Sequence, residues 1–110
     1  GGVAQGIGQA VTEQVVYDED GQLLTASFMD YAMPRADDLP MMPFHSEPVP
    51  STQNEIGMKG CGEAGTVGAL AAVTNAALDA VWDRGVTRVD MPMTPLSMWQ
   101  RLQGVAQAAE

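Results

Sequence analysis

The stretch Gly57-Met58-Lys59-Gly60-Cys61-Gly62-Glu63-Ala64-Gly65-Thr66 decides how the rest of the chain is read. Its glycines (Gly57, Gly60, Gly62 and Gly65) admit backbone conformations closed to other residues and let a large ligand come close to the main chain. Among them stands one carboxylate, Glu63, with the Cys61 thiol and the Lys59 cation shortly before it. The longest helical pattern in the chain follows at once. The segment therefore reads as a turn that delivers a carboxylate to a helix entrance. Two readings of that carboxylate stay open: a catalytic base, or a solvated acid favoured by the positive end of the helix dipole.

From Gly60 to Gly65 the letters spell G-x-G-x-x-G, the string of dinucleotide-binding loops. That loop needs a buried strand ahead of it and an acidic residue about 20 positions on, after the helix has closed a βαβ unit. Here Gln53-Asn54-Glu55-Ile56-Gly57-Met58 is too polar for such a strand, and Asp79 and Asp83 fall inside the helical pattern. The string does not read as a nucleotide site.

Working outward toward the C-terminus, residues 64–84 form the clearest helix. Val67, Leu70, Thr74, Ala77, Leu78 and Val81 make one stripe, with Asn75, Asp79 and Asp83 opposite. Thr66 is a candidate N-cap, and Gly85 stands where a C-terminal glycine cap belongs. Gly68, Ala69, Ala71 and Ala72 keep the first turns slim, so this helix can pack closely near Glu63. Residues 86–91 suit a last strand. Thr94-Pro95 opens a short helix through Leu96, Trp99, Leu102 and Val105, followed by an alanine-rich tail.

Toward the N-terminus, Val3, Ile7, Ala10, Val11 and Gln14 recur at helical spacing, which gives a first helix over residues 3–13, loosened by Gly6 and Gly8. Gln5 lies on its more polar side, where the amide can meet solvent or a ligand. Residues 14–17 and 22–28 favour strands, and Asp18-Glu19-Asp20-Gly21 between them supplies hairpin-turn chemistry. Residues 30–43 are irregular. Residues 44–49 form a short strand that Pro48 and Pro50 confine to a sheet edge. The order is helix, β-hairpin, irregular loop, edge strand, glycine-rich turn, long helix, strand and short C-terminal helix. That is an α+β fold with mostly antiparallel pairing, in a single domain spanning residues 1–110.

Composition narrows the function. At 110 residues and 45% hydrophobic, the chain is one domain's worth of globular sequence. A net charge of −9 disfavours nucleic acid and anionic membrane surfaces as partners. No unbroken apolar run reaches the 18 or so residues of a membrane span, so no transmembrane segment is expected. Cys61 is the lone cysteine, which suits a reducing cytoplasm, and His45 is the lone histidine, read as a structural or interface residue. With no C-x-x-C or H-E-x-x-H spacing, protein-ligated zinc is disfavoured. The opening Gly1-Gly2, directly inside a helical pattern, reads as a piece of something longer.

Two strings in this order are more specific than either alone. Gly1-Gly2-Val3-Ala4-Gln5-Gly6-Ile7-Gly8-Gln9-Ala10 and, further on, Lys59-Gly60-Cys61-Gly62-Glu63-Ala64-Gly65-Thr66 resemble the C-terminal end of the molybdopterin-binding large subunit of the xanthine dehydrogenase, aldehyde oxidase and aerobic carbon monoxide dehydrogenase family. The run from Gly21 to Asp37 is similar to the bacterial, carbon monoxide dehydrogenase-like branch. The resemblance implies that Glu63 is the active-site base, taking the proton from a hydroxo or aquo ligand on molybdenum. The oxygen then goes to an electrophilic substrate carbon while hydride passes to the metal's sulfido ligand. It further implies that Gln5 hydrogen-bonds the molybdopterin and that Gly62 lies close to the metal. No role carries over to Arg35, Lys59 or Cys61, and the cofactor's dithiolene, not a side chain, supplies sulfur to the metal.

The same resemblance implies molybdopterin as cofactor, in its cytosine dinucleotide form for the bacterial branch, with none held by this segment alone. The implied partners are the remainder of the large subunit, flavin and iron–sulfur subunits or domains, and a small-molecule substrate. Because the family's large subunit is several times longer, the isolated chain is expected to be inactive. A rival expectation is a packing module that completes the large-subunit core or a dimer contact.

Overall fold

A computed structural model of the chain describes residues 1–104. Its regular elements are α1 (Gly2–Val11), a 3-10 turn (Ala36–Asp38), α2 (Ala64–Trp82) and α3 (Pro95–Leu102). The three helices fall where apolar spacing places them. Gly85, at φ 83°, follows α2 as the expected glycine cap and donates its N–H to the Trp82 carbonyl at 2.9 Å. The expected continuation of α3 through Val105, and the alanine-rich tail, lie outside the described residues.

α3 has the most complete start of the three. Pro95 occupies its first turn, and the Thr94 hydroxyl accepts a hydrogen bond from the Ser97 N–H at 3.2 Å. Arg101 in the last turn reaches back to the Arg88 carbonyl at 3.1 Å and to the Asp90 carboxylate, tying residues 86–90 to the helix. Thr94→Ala removes the cap, a change of about 1 kcal/mol. Amide exchange in α3 is expected to speed up about fivefold, read by hydrogen–deuterium exchange, with little change in α1.

The expected hairpin is present in outline. Asp18 Oδ1 accepts from the N–H groups of Asp20 (3.0 Å) and Gln22 (2.8 Å), and Gly21 takes φ 80° to turn the chain. An antiparallel bridge joins Tyr17 to Leu23, and the Leu24 N–H reaches the Val16 carbonyl at 2.8 Å. Among the described residues the expected strands contract to this bridge. Residues 44–49 and 86–91 carry no regular secondary structure, although Val86 is buried. A strand is stabilised by its neighbour, and among the described residues these segments have no neighbouring strand to accept their hydrogen bonds.

The core is thin. Ala10, Ala69, Val81, Val86 and Met93 are its buried apolar residues, while Met41 is 99% exposed and Phe44 90% exposed. The radius of gyration is 17.7 Å, against about 13 Å for a compact domain of this length. Exposed apolar surface on this scale is of the kind that marks interaction sites.

α2 corrects one expectation. Although no unbroken apolar run reaches membrane-spanning length, the helix as a whole is long and apolar enough to cross a bilayer by length and composition. Alanine dominates it, with Gly65, Gly68, Asn75 and Asp79 interspersed. The packed side follows the expected stripe from Leu70 through Thr74, Ala77 and Leu78 to Val81 and departs from it only in the first turn. Thr66, Ala69 and Val81 are buried, whereas Val67 is 73% exposed.

Candidate active site

α1 lies across the first turns of α2 because glycine and alanine meet at the crossing. A methyl group at Gly6 would stand 2.7 Å from both the Thr66 carbonyl oxygen and the Ala69 methyl. One at Gly65 would stand 2.8 Å from the Val3 nitrogen. Real carbon atoms do not approach backbone so closely, so both positions need glycine. Gly8 serves a third contact, since a methyl there would meet the Pro34 ring at 2.6 Å. The Q-G-x-G string therefore uses its glycines to seat α1 between α2 and the loop around Pro34. Their helix-loosening effect, expected from propensity, is offset by packing.

This crossing brings the two strings of the sequence together. Thr66, 8% exposed, donates its hydroxyl proton to the Gly2 carbonyl oxygen at 2.9 Å and stands 3.3 Å from Gln5 Oε1. A methyl at Gly2 would lie 3.3 Å from the Gly62 carbonyl oxygen, so the start of α1 rests directly on the glycine turn. Thr66 thus sits inside α2 as the link between helices. The N-cap position, which its residue type suggested for Thr66, is held by Glu63.

Glu63 is exposed at the entrance of α2, with φ −112° and ψ 9°, and its side chain does not cap the helix. Its carbonyl accepts the Val67 N–H at 3.2 Å, which fixes the backbone while leaving the carboxylate uncommitted. Among the described residues no hydrogen bond or ion pair engages that carboxylate. Gly60 and Gly62 flank Cys61 just before it, and a methyl at either would meet nothing within 4 Å. Neither crowding within the chain nor a left-handed backbone accounts for glycine there. Upstream the turn is anchored by Asn54, whose side chain accepts from the Met58 N–H (2.8 Å) and donates to the Met58 carbonyl (3.0 Å). Gly57, at φ 67°, closes that loop against Pro50.

Gln5 and Gly62 are exposed, as are Lys59 and Cys61. The crossing brings the helix that carries Gln5 onto the turn that carries Gly62 and Glu63, and it is made by Thr66, Gly6 and Gly65, contacts that sequence spacing did not reveal. A signal was available: glycine inside a helical pattern lowers helix propensity and commonly marks a close contact. Among the described residues no group of three or more His, Cys, Asp or Glu side chains could hold a metal ion.

An open cleft lined by Thr25, Ala26, Ser27, Phe28 and Tyr31 shares no residue with this surface. Desolvation and the Glu13 carboxylate hold the Tyr31 hydroxyl above the ordinary phenol range, so it stays protonated near neutral pH. No carboxylate stands among the residues that line the cleft, and the Glu13 carboxylate beside it is engaged with Tyr31.

An open glycine turn, a carboxylate without a partner among the described residues and a glutamine-bearing helix locked against that turn make up the candidate site. The family model for the molybdopterin cofactor-binding domain matches residues 1–40. Subunit gamma of the 6-hydroxypseudooxynicotine dehydrogenase complex of Paenarthrobacter nicotinovorans is 43% identical over 109 residues, covering 98% of this chain and 14% of that protein. The carbon monoxide dehydrogenase large chain of Hydrogenophaga pseudoflava is 36% identical, covering 94% of this chain and 13% of that one. Among solved structures, quinoline 2-oxidoreductase from Pseudomonas putida 86 superposes with a TM-score of 0.85 at 38% identity, over 93% of this chain and 13% of that chain. The chain belongs to the xanthine dehydrogenase and carbon monoxide dehydrogenase family of molybdopterin-binding large subunits. It spans about one-seventh of the length of the curated relatives it matches.

The residues present fit the family's cofactor on the structure's own terms. Gly60 and Gly62 leave the backbone open to a bulky group, Gln5 offers an amide, and Glu63 offers an unpaired carboxylate on the same surface.

Proposed function

We propose that this chain is the segment of a molybdenum hydroxylase that carries the catalytic base. Glu63 is that base, and Gln5 and Gly62 contact the molybdopterin. When bound, the molybdenum centre would supply the two-electron redox chemistry by which a water-derived oxygen is added to a substrate carbon. The Glu63 carboxylate takes up the proton that the attacking oxygen must lose, which makes that oxygen a better nucleophile. The Gln5 amide binds and orients the cofactor, and Gly62 lets it approach the backbone. Thr66 and the α1–α2 crossing hold these groups in register. The observation that carries this reading is the convergence of the Gln5 helix and the Glu63 turn through Thr66 and Gly2.

The remaining partners follow from the same reading. The rest of the large subunit covers α2 and the exposed Met41 and Phe44, and pairs with residues 44–49 and 86–91 to complete an α+β fold. Flavin and iron–sulfur subunits or domains take the electrons, the cofactor is the cytosine dinucleotide form, and the substrate is a small molecule. A cytoplasmic enzyme accords with the exposed Cys61 thiol, and the isolated chain is inactive. The rival reading, a packing module for the large-subunit core or a dimer contact, draws on the same exposed apolar residues.

Gly62→Val separates the two. Nothing in this chain lies within 4 Å of a methyl there, so the segment itself accommodates the change. In the holoenzyme, molybdenum per large subunit is expected to fall several-fold while the melting temperature of the protein is held. Full occupancy would leave only the packing role.

A further inference from the structure

We infer that Thr66 is the positioning residue for Gln5, and that it does so as a hydrogen-bond acceptor, turning the Gln5 carbonyl oxygen outward toward the cofactor. The inference rests on the proposal that Gln5 contacts the molybdopterin. A threonine hydroxyl has one proton and two lone pairs. Its proton is committed to the Gly2 carbonyl oxygen, which can only accept, at 2.9 Å. The end of the Gln5 side chain lies 3.3 Å from the same hydroxyl, with Oε1 facing it. Two acceptors cannot share that one proton equally, and the shorter contact keeps it.

A half-turn of the Gln5 amide resolves the conflict. The oxygen and nitrogen of an amide exchange places with no change of shape, and the hydrogen-bond network selects between them. With Nε2 toward Thr66, an N–H donates into a free lone pair of the hydroxyl. Thr66 then accepts from Gln5 and donates to Gly2. The Gln5 oxygen is left on the open side as an acceptor, suited to an N–H donor on a bound ring or amide. Burial of Thr66 favours the arrangement, because a hydroxyl largely withdrawn from solvent has few other partners to trade with. Both ends of the link sit in helices already locked by Gly6 and Gly65. A hydroxyl is therefore required at position 66 for a reason other than starting α2.

The test uses the full-length holoenzyme and four variants: Thr66→Val, Thr66→Ser, Gln5→Ala and the double variant Gln5→Ala/Thr66→Val. Each is read by molybdenum per large subunit and by the melting temperature of the cofactor-free protein. Thr66→Val keeps the shape and removes the hydroxyl, and is expected to lower molybdenum retention about three- to tenfold, the size of one ordinary hydrogen bond. Thr66→Ser should restore it. The double variant should retain no less than Gln5→Ala alone, because both changes break the same link. If Gln5→Ala lowers retention and Thr66→Val does not, Thr66 has no positioning role and the Gln5 contact stands. Additive losses, accompanied by a fall in melting temperature that serine does not repair, would assign Thr66 to packing alone and overturn the inference. If Gln5→Ala leaves retention intact, the contact itself is wrong and the inference goes with it.

Discussion

Glu63→Gln in the full-length holoenzyme should lower kcat by about 10²- to 10⁴-fold, the range a positioned general base contributes, with molybdenum content unchanged. The reason lies in what the carboxylate is free to do. It stands exposed at the mouth of α2, neither capping the helix nor paired with a cation among the described residues. Glutamine has the same size and keeps the backbone hydrogen bond from Val67 to position 63, so packing is undisturbed. What it loses is the capacity to take a proton. Steady-state turnover beside metal analysis of the same preparation separates the two effects. Turnover within a few-fold of the parent, at full molybdenum occupancy, would remove Glu63 from the chemistry.

Gly6→Val is expected to have the largest effect on structure. Even the first carbon of the new side chain would sit 2.7 Å from the Thr66 carbonyl oxygen, a backbone atom that cannot swing aside. Overpacking of this kind costs roughly 1–3 kcal/mol, and valine adds two further carbons at the same crossing. The helices must part, and with them the Thr66 link to Gly2 and Gln5. A lowered melting temperature and a loss of molybdenum should therefore appear together. Gln9→Ala, exposed on the same helix, should change stability by less than about 0.5 kcal/mol. A Gly6→Val enzyme as stable and as fully loaded as its parent would mean that α1 does not cross α2 at this point.

These two positions also show how much could be read without coordinates. Helix positions were legible because apolar residues recur at helical spacing and because Thr94-Pro95 and Gly85 mark ends unambiguously. Glu63, Gln5 and Gly62 were legible through resemblance, since spacing alone favoured a solvated acid at Glu63. The crossing itself was hidden. Gly6 and Gly65 lower helix propensity when taken one at a time, and only the partner helix supplies the contact that makes them necessary. Thr66 misled for a related reason: threonine near a helix start suggests a cap, whereas its hydroxyl is spent between helices. Strand assignments at residues 44–49 and 86–91 rested on side-chain type, which says nothing about where a pairing edge will come from.

A structure of the cofactor-loaded holoenzyme tests the central claim most directly, through the position of the Glu63 carboxylate. The account expects the carboxylate to face the molybdenum within hydrogen-bonding reach, about 3 Å, of the reacting oxygen, with Gln5 on the pterin and α1 crossing α2 at Gly6. A carboxylate turned into bulk solvent, away from the metal, would contradict it.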